Sequence, residues 1–163
     1  MKVKVKKLHP NAVIPFKTYN DDFCFDAVAV TCEEIAPNVY KYGLGLAFEI
    51  VYDATTMLAD HLIGHENELI TSIEVRPRSS VWKTGMVLSC SMGTIDKGYR
   101  GEVSAVFYHV MPNMPRYKVG DKVCQIMLNR TEPIKFIEVD ELSKSERGEN
   151  GYGSTDIKKQ LNT

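Results

Sequence analysis

Apolar positions in this chain fall in short runs of β-branched and aromatic residues, set apart by turn residues. The runs Lys2–Leu8, Phe23–Val30, Leu44–Tyr52, Thr71–Val75, Met86–Cys90, Glu102–Val110, Lys122–Asn129 and Ile134–Val139 each predict a strand. Turn signals divide them at Ala36-Pro37-Asn38, Asp96-Lys97-Gly98 and Val119-Gly120-Asp121. Strict alternation at the start, Lys2-Val3-Lys4-Val5-Lys6, predicts an edge strand with valines inward and lysines guarding the edge. Many short strands at this spacing imply an all-β sandwich or barrel.

Two segments depart from that pattern. Ala54, Met57, Leu58 and Leu62 recur at helical spacing behind Asp53, a ready N-cap, and predict a short amphipathic helix on a connecting excursion. Ser79 to Gly85 has hydroxyl caps and a terminal glycine, which suit a single helical turn. Its N-terminus would carry Arg78 and two serines and could bind an anion. An ordinary connector with Arg78 in a surface ion pair is the competing reading.

Composition narrows the class. A chain of 163 residues with 44% hydrophobic residues is expected to be one globular domain with a real core. Net charge of −1 and a pI near 6.4 leave no electrostatic footprint for nucleic acid. The lysine-rich start has no apolar run behind it, so neither a signal peptide nor a membrane anchor is expected, and the cytoplasm is the expected compartment. Cys24, Cys32, Cys90 and Cys124 lie in or beside apolar stretches with no C-x-x-C pair, which predicts buried reduced thiols. His61 and His65 fit neither H-E-x-x-H nor H-x-x-E-H, because Gly64 stands where the latter needs a glutamate.

Three places carry candidate chemistry. Arg147-Gly148-Glu149-Asn150-Gly151-Tyr152-Gly153-Ser154-Thr155 combines what a phosphate chain and a base would use: freed backbone N–H groups, an arginine, hydroxyls and a stacking ring. No apolar helix follows, so it is not a P-loop; a closing arm and a disordered Gly/Ser tail both remain open. In Gly93-Thr94-Ile95-Asp96-Lys97-Gly98-Tyr99-Arg100-Gly101-Glu102-Val103 a strand leads into a turn and resumes, as in a hairpin. Asp96, held in a partly dry pocket, could take a proton from water; a turn aspartate bonded to its own backbone is the alternative. Pro77-Arg78-Ser79-Ser80 is the third.

Five motifs in order, spanning residues 23 to 155, resemble those of the trimeric deoxyuridine triphosphate nucleotidohydrolases (dUTPases). Phe23-Cys24-Phe25-Asp26-Ala27 is similar to A-G-Y-D-L, and Pro77-Arg78-Ser79-Ser80 to P-R-S-G. Gly93 to Glu102 resembles G-V-I-D-x-D-Y-R-G, and Gly120-Asp121-Lys122-Val123-Cys124-Gln125-Ile126 resembles G-D-R-I-A-Q-L. The tail resembles R-G-x-G-G-F-G-S-T. Departures are Cys24 for glycine, Ala27 for a larger apolar residue, Ser80 and Asn150 for glycines, Gly98 for the second aspartate and Tyr152 for phenylalanine. Cys90 stands where many members place an asparagine, and residues 52 to 71 form a longer connection than usual.

The resemblance implies a distorted jelly-roll β-barrel over residues 1–142, one or two short helices, and a flexible C-terminal arm over 143–163. It implies hydrolysis of dUTP to dUMP and pyrophosphate, which keeps uracil out of DNA. Asp96 would activate the water that attacks the α-phosphorus, and Tyr99 would pack under deoxyribose. Backbone groups of Gly93, Thr94 and Ile95 would read uracil. Arg78, Ser79, Ser80 and Gln125 would bind the phosphate side. Arg147, Gly151, Gly153, Ser154 and Thr155 would close over the β/γ end, with Tyr152 on the base. Mg²⁺ is expected on the triphosphate, met by Asp26 through water. A homotrimer with shared sites is implied, with no nucleic-acid or membrane partner. The competing readings are a dCTP deaminase of the same fold, for which Glu102 is the candidate acid, and a non-catalytic nucleotide-sensing or interaction protein.

Overall fold

The Lys/Val alternation forms β1 (Lys2–Lys7), with Val3 and Val5 half-buried and its lysines exposed. It lies antiparallel to β5 (Leu46–Val51), with Val3 opposite Ile50 and Val5 opposite Phe48. The protein, described by a computed structural model over residues 1–62 and 70–150, contains two further sheets. The first orders β2 (Phe25–Val28), β10 (Lys122–Thr131), β6 (Ile70–Pro77) and β8 (Gly93–Ile95). The second orders β3 (Thr31–Ala36), β4 (Val39–Gly43), β9 (Ser104–His109) and β7 (Met86–Leu88). All strand pairs are antiparallel.

This is a jelly-roll-like all-β architecture, but the sheets do not close into the expected barrel. Inward residues of the sheets share one core: Leu44, Leu46, Phe48, Val75, Phe107, Val123 and Ile126 are all buried. Tyr42, Phe107 and Tyr117 meet edge to face, with centroids 5.4–6.1 Å apart. The Tyr42 hydroxyl donates to the Tyr117 carbonyl at 2.9 Å, which removes the cost of burying it. Each of the larger aliphatic side chains contributes about 1.5–3 kcal/mol by leaving water.

The predicted helix forms as α1 (Ala54–Leu62), with Asp53 Oδ1 accepting the Thr56 N–H at 2.9 Å. Its Met57, Leu58 and Leu62 remain exposed. The predicted turn forms as a 3-10 segment, Ser79–Lys83, but no side chain caps its start. The working hydroxyl is at the other end, where Thr84 donates to the Val81 carbonyl at 2.7 Å.

Several expectations are corrected. Ile134–Val139 is not a strand: nothing pairs with it among the described residues, and Ile134, Phe136, Ile137 and Val139 are exposed. β-Propensity without a ladder partner does not make a strand. The β3–β4 hairpin went unmarked because β3 is exposed throughout and its charges hide any alternation; Asn38, at φ 60°, turns it. Cys32 and Cys90 are exposed and Cys24 is half-buried, so only Cys124 is the expected buried thiol, with burial pushing it up to about 12. Cys32 lies on the exposed edge strand and Cys90 in a turn, where apolar neighbours in sequence give no cover.

The chain divides into two units, Met1–Pro133 and Ile134–Thr163. All ten strands belong to the first. No helix among the described residues is long and apolar enough to cross a membrane.

Candidate active site

Strand pairing sets Asp26, Gln125 and Arg76 in one row across three strands: Gln125 of β10 is opposite Asp26 on one side and Arg76 on the other. Pro77 ends β6, since it has no N–H to continue the ladder, and Arg78 follows in extended backbone at the head of the 3-10 turn. Arg78 Nε donates to Asp26 Oδ1 at 2.9 Å, and its Nη1 donates to Ser80 Oγ at 3.3 Å. Ser79 beside it is exposed.

Lys122 supplies the second cation, its Nζ 2.9 Å from Asp26 Oδ2. The sequence reading missed this residue. Three positions before Gln125, Lys122 would point to the opposite face of a regular strand. A bulge between Lys122 and Cys124 pairs it with Val28, two residues from Asp26, and so restores it to the Asp26 face. The only sequence signal was a basic residue inside the fourth motif; its partner lies far away in the chain.

Asp26 is 7% exposed. Burial pushes its carboxyl up, but hydrogen bonds from Lys122 and Arg78, and then their charges, outweigh that and hold it below the ordinary carboxylate value. The junction is a fixed anion between two fixed cations. Arg76 next to it is itself engaged, its Nη2 2.6 Å from Oε2 of the buried Glu74.

The second group of predicted residues surrounds β8. Among the described residues this strand is the edge of its sheet and pairs only with β6, through Gly93 with Val75, Thr94 with Glu74 and Ile95 with Ile73. Alternate backbone N–H and C=O groups of Gly93, Thr94 and Ile95 therefore point into an open edge, the arrangement that lets a strand pair with a ligand. A Cβ added at Gly93 would meet Cys90 Sγ at 3.5 Å, so the thiol lies against this strand.

Asp96 follows directly, in a turn closed by the Tyr99 N–H donating to its carbonyl at 3.0 Å. Beside it is an open concavity of about 190 Å³, lined by Thr94, Ile95, Asp96, Tyr99, Glu102 and Ser104. Tyr99 is 47% exposed, and its hydroxyl donates to the Glu102 carbonyl at 3.1 Å. Asp96 is exposed rather than in the partly dry pocket expected, because it sits in a turn beyond the last paired residue of β8. The expected hairpin across the turn is absent too: β8 pairs with β6, whereas β9 lies in the other sheet. Glu102 leans away from the turn, with Oε1 accepting the Gly45 N–H at 2.8 Å where Gly45 has φ +64°.

The two groups are not brought together within one chain. Ile95 is opposite Ile73, and Arg78 lies five residues further along the chain, just past the end of β6, about 17 Å at the rise of a strand. Asp26, Arg78, Ser79, Ser80 and Gln125 thus form one cluster, and Gly93, Thr94, Ile95, Asp96 and Tyr99 another.

Of the tail residues, Arg147 donates from Nε to the Asn150 carbonyl at 2.9 Å, beside Gly148 at φ +55°. Gly151, Tyr152, Gly153, Ser154, Thr155 and His65 lie outside the described residues. Among the described residues, no group of three or more His, Cys, Asp or Glu side chains could hold a metal ion.

Comparison with known proteins bears on the whole of this arrangement. The dUTPase family model matches residues 55–156. The deoxyuridine 5'-triphosphate nucleotidohydrolase of Helicobacter pylori strain P12 is 31% identical over 163 residues, covering 98% of this chain and 99% of that one. The enzyme of the same name from Nautilia profundicola is 33% identical over 157 residues, covering 95% of this chain and 99% of its own. A mutant dUTPase of Staphylococcus bacteriophage 80alpha, solved with dUpNHpp, shares the fold at a TM-score of 0.72 and 20% identity, over 94% of this chain and 98% of that one. With a family match over most of its length and relatives of this identity along nearly all of it, the chain belongs to the dUTPase family.

Proposed function

We propose that this protein is a dUTP diphosphatase that cleaves dUTP to dUMP and pyrophosphate in sites shared between copies of the chain. The observation that carries the shared site is the separation along β6: an exposed aspartate beside an open strand edge at one place, and the Arg78 junction about 17 Å away. That separation favours an α-phosphorus held between the two places by different copies of the chain. A homotrimer, the assembly associated with this family's motifs, would set the Asp96 turn of one copy against the Arg78 junction of another.

In such a site the outward backbone groups of Gly93, Thr94 and Ile95 pair with the uracil edge. A cytosine edge would leave donors and acceptors unmatched, and unpaired buried groups are what make such selection strong. Tyr99 lies against deoxyribose, where it leaves no room for a 2′-hydroxyl. Asp96 takes a proton from the attacking water, worth roughly 10²–10⁴-fold in rate. Arg78, Ser79 and Gln125 orient phosphate oxygens, with Ser80 holding the arginine. The tail brings Arg147, Ser154 and Thr155 to the terminal phosphates, Tyr152 to the base, and Gly151 and Gly153 for close backbone approach.

The donor set suits Mg²⁺ carried by the substrate. Asp26 is ionised, and each oxygen has accepted one hydrogen bond and keeps capacity for a metal-bound water. When bound, Mg²⁺ supplies charge neutralisation on the phosphate oxygens.

The reading is tested by supplying dUTP or dCTP with Mg²⁺ and measuring pyrophosphate and ammonia. Pyrophosphate from dUTP is expected; ammonia from dCTP without it would replace this function with deamination. Mixing Asp96→Asn with Arg78→Met chains under exchange conditions tests the sharing. Activity lost in Asp96→Asn and weakened by the raised KM of Arg78→Met should rise in the mixture above the sum of the two alone, and a mixture that gives only that sum argues for sites built within one chain.

A further inference from the structure

The connection from β5 to β6 departs at Tyr52 and returns at Thr71. At its neck the Tyr52 hydroxyl donates to Thr71 Oγ1 at 2.6 Å, and Thr71 is fully buried. The Tyr52 ring packs half-buried against the core, so it is a fixed surface rather than a free side chain. On that ring sits Lys97, its Nζ 4.4 Å from the centroid, within the range of a cation–π contact. Lys97 is the residue after Asp96.

The turn's own hydrogen bonds, Tyr99 N–H to the Asp96 carbonyl and Arg100 Nη1 to the Lys97 and Tyr99 carbonyls, hold its backbone but do not tie it to the sheet. Gly98 has nothing within 4 Å of where a Cβ would lie, and Asp96 itself is exposed. Lys97 is anchored at both ends: its carbonyl accepts Arg100 Nη1 at 2.7 Å, and its ammonium lies on Tyr52. The ladder from Val75–Gly93 to Ile73–Ile95 runs toward the end of β6 that carries Thr71, which is why the neck and the turn meet. The Tyr52–Thr71 hydrogen bond, the ring and the lysine form one connected path from the buried sheet to the residue beside Asp96.

We infer that Tyr52 and Lys97 are positioning residues for Asp96, a clamp by which the neck of the 52–71 connection sets the aim of the catalytic turn. The inference rests on the reading of Asp96 as the base. Neither residue touches the substrate; they act by limiting the orientations of a carboxylate that would otherwise swing in solvent. Misaiming a base lowers turnover while leaving substrate affinity in place.

The test measures kcat, KM for dUTP and thermal midpoint for Tyr52→Leu, Tyr52→Phe, Lys97→Met, Lys97→Arg and the Tyr52→Leu/Lys97→Met double variant, beside Asp96→Asn. Tyr52→Leu and Lys97→Met should each lower kcat about fivefold, the size of one cation–π contact, with KM unchanged. The double variant should fall well short of the product of the single effects, because both changes break the one contact they share. Tyr52→Phe keeps the ring and Lys97→Arg keeps the cation, so both should stay within about twofold of the parent. Lys97 is exposed, so Lys97→Met decides the matter even if Tyr52→Leu fails to fold. Normal kcat in Lys97→Met, or effects that multiply in the double variant, overturns the clamp while Asp96→Asn remains inactive. Turnover by Asp96→Asn removes the base itself, and the clamp with it.

Discussion

Asp26 and Asp96 are both motif aspartates, and the fold treats them in opposite ways. Asp26 is 7% exposed, and each of its oxygens is held by a cation at 2.9 Å. Asp96 is exposed on a turn, beside an open concavity. The first carries an electrostatic junction that one chain builds complete. The second is a carboxylate presented outward from the end of an edge strand. A buried, doubly paired carboxylate makes a good fixed point and a poor base, since its proton affinity is already lowered.

That contrast is most directly broken at Asp96. Asp96→Asn should cost roughly 10²–10⁴-fold in kcat/KM, measured by pyrophosphate release. Its thermal midpoint should match the parent, because an exposed turn carboxylate supports little else. A large loss of stability with this substitution would mean that Asp96, too, is structural.

Arg78→Met should act on both scales. It removes a phosphate ligand, and it leaves the buried Asp26 carboxylate with Lys122 alone. A stability loss of about 2 kcal/mol is expected in denaturant unfolding, together with a raised KM. Unchanged stability would show that Lys122 suffices to hold the carboxylate.

Asp26→Asn sharpens the comparison through pH. The folded value of Asp26 lies below the ordinary 3.8, so ionised Asp26 stabilises the fold fully above that value. This contribution declines as pH falls below 3.8 and is lost once pH passes the folded value beneath it. Asp26→Asn should therefore flatten the acid limb of a stability–pH curve. Identical acid limbs in parent and Asp26→Asn protein would contradict the grip seen at the junction.

Lys122→Met should have the smallest effect. With one cation left, Asp26 rises toward its ordinary value, and acid unfolding should begin at slightly higher pH. An acid midpoint that does not move would assign the depression to Arg78 alone.

Much of the fold was legible as pattern. The Lys/Val alternation of β1, the apolar runs of β5, β9 and β10 and the Asp53-capped helix each follow from local spacing. The misses have a common cause, because each depended on a partner. Ile134–Val139 has strand composition but nothing to pair with among the described residues, β3 is a strand only because β4 lies beside it, and β8, read as one arm of a hairpin, pairs with β6 instead. The site divides similarly. The motifs marked Asp26, Arg78, Gln125 and Asp96 one at a time, but not that Lys122 would join the first of these or that Lys97 would rest on Tyr52.

By itself, then, the sequence determined the elements and the chemical groups, since backbone propensity, alternation and capping act over a few residues. It also carried the family, because the motif residues stand in order along the chain. Only the tertiary structure decided which groups face each other. A bulge after Lys122 turned that side chain toward Asp26, and the β6–β8 register held Ile95, the residue before Asp96, about 17 Å along the strand direction from Arg78. Both follow from long-range pairing, where a shift of one residue sends a side chain to the other face of the sheet.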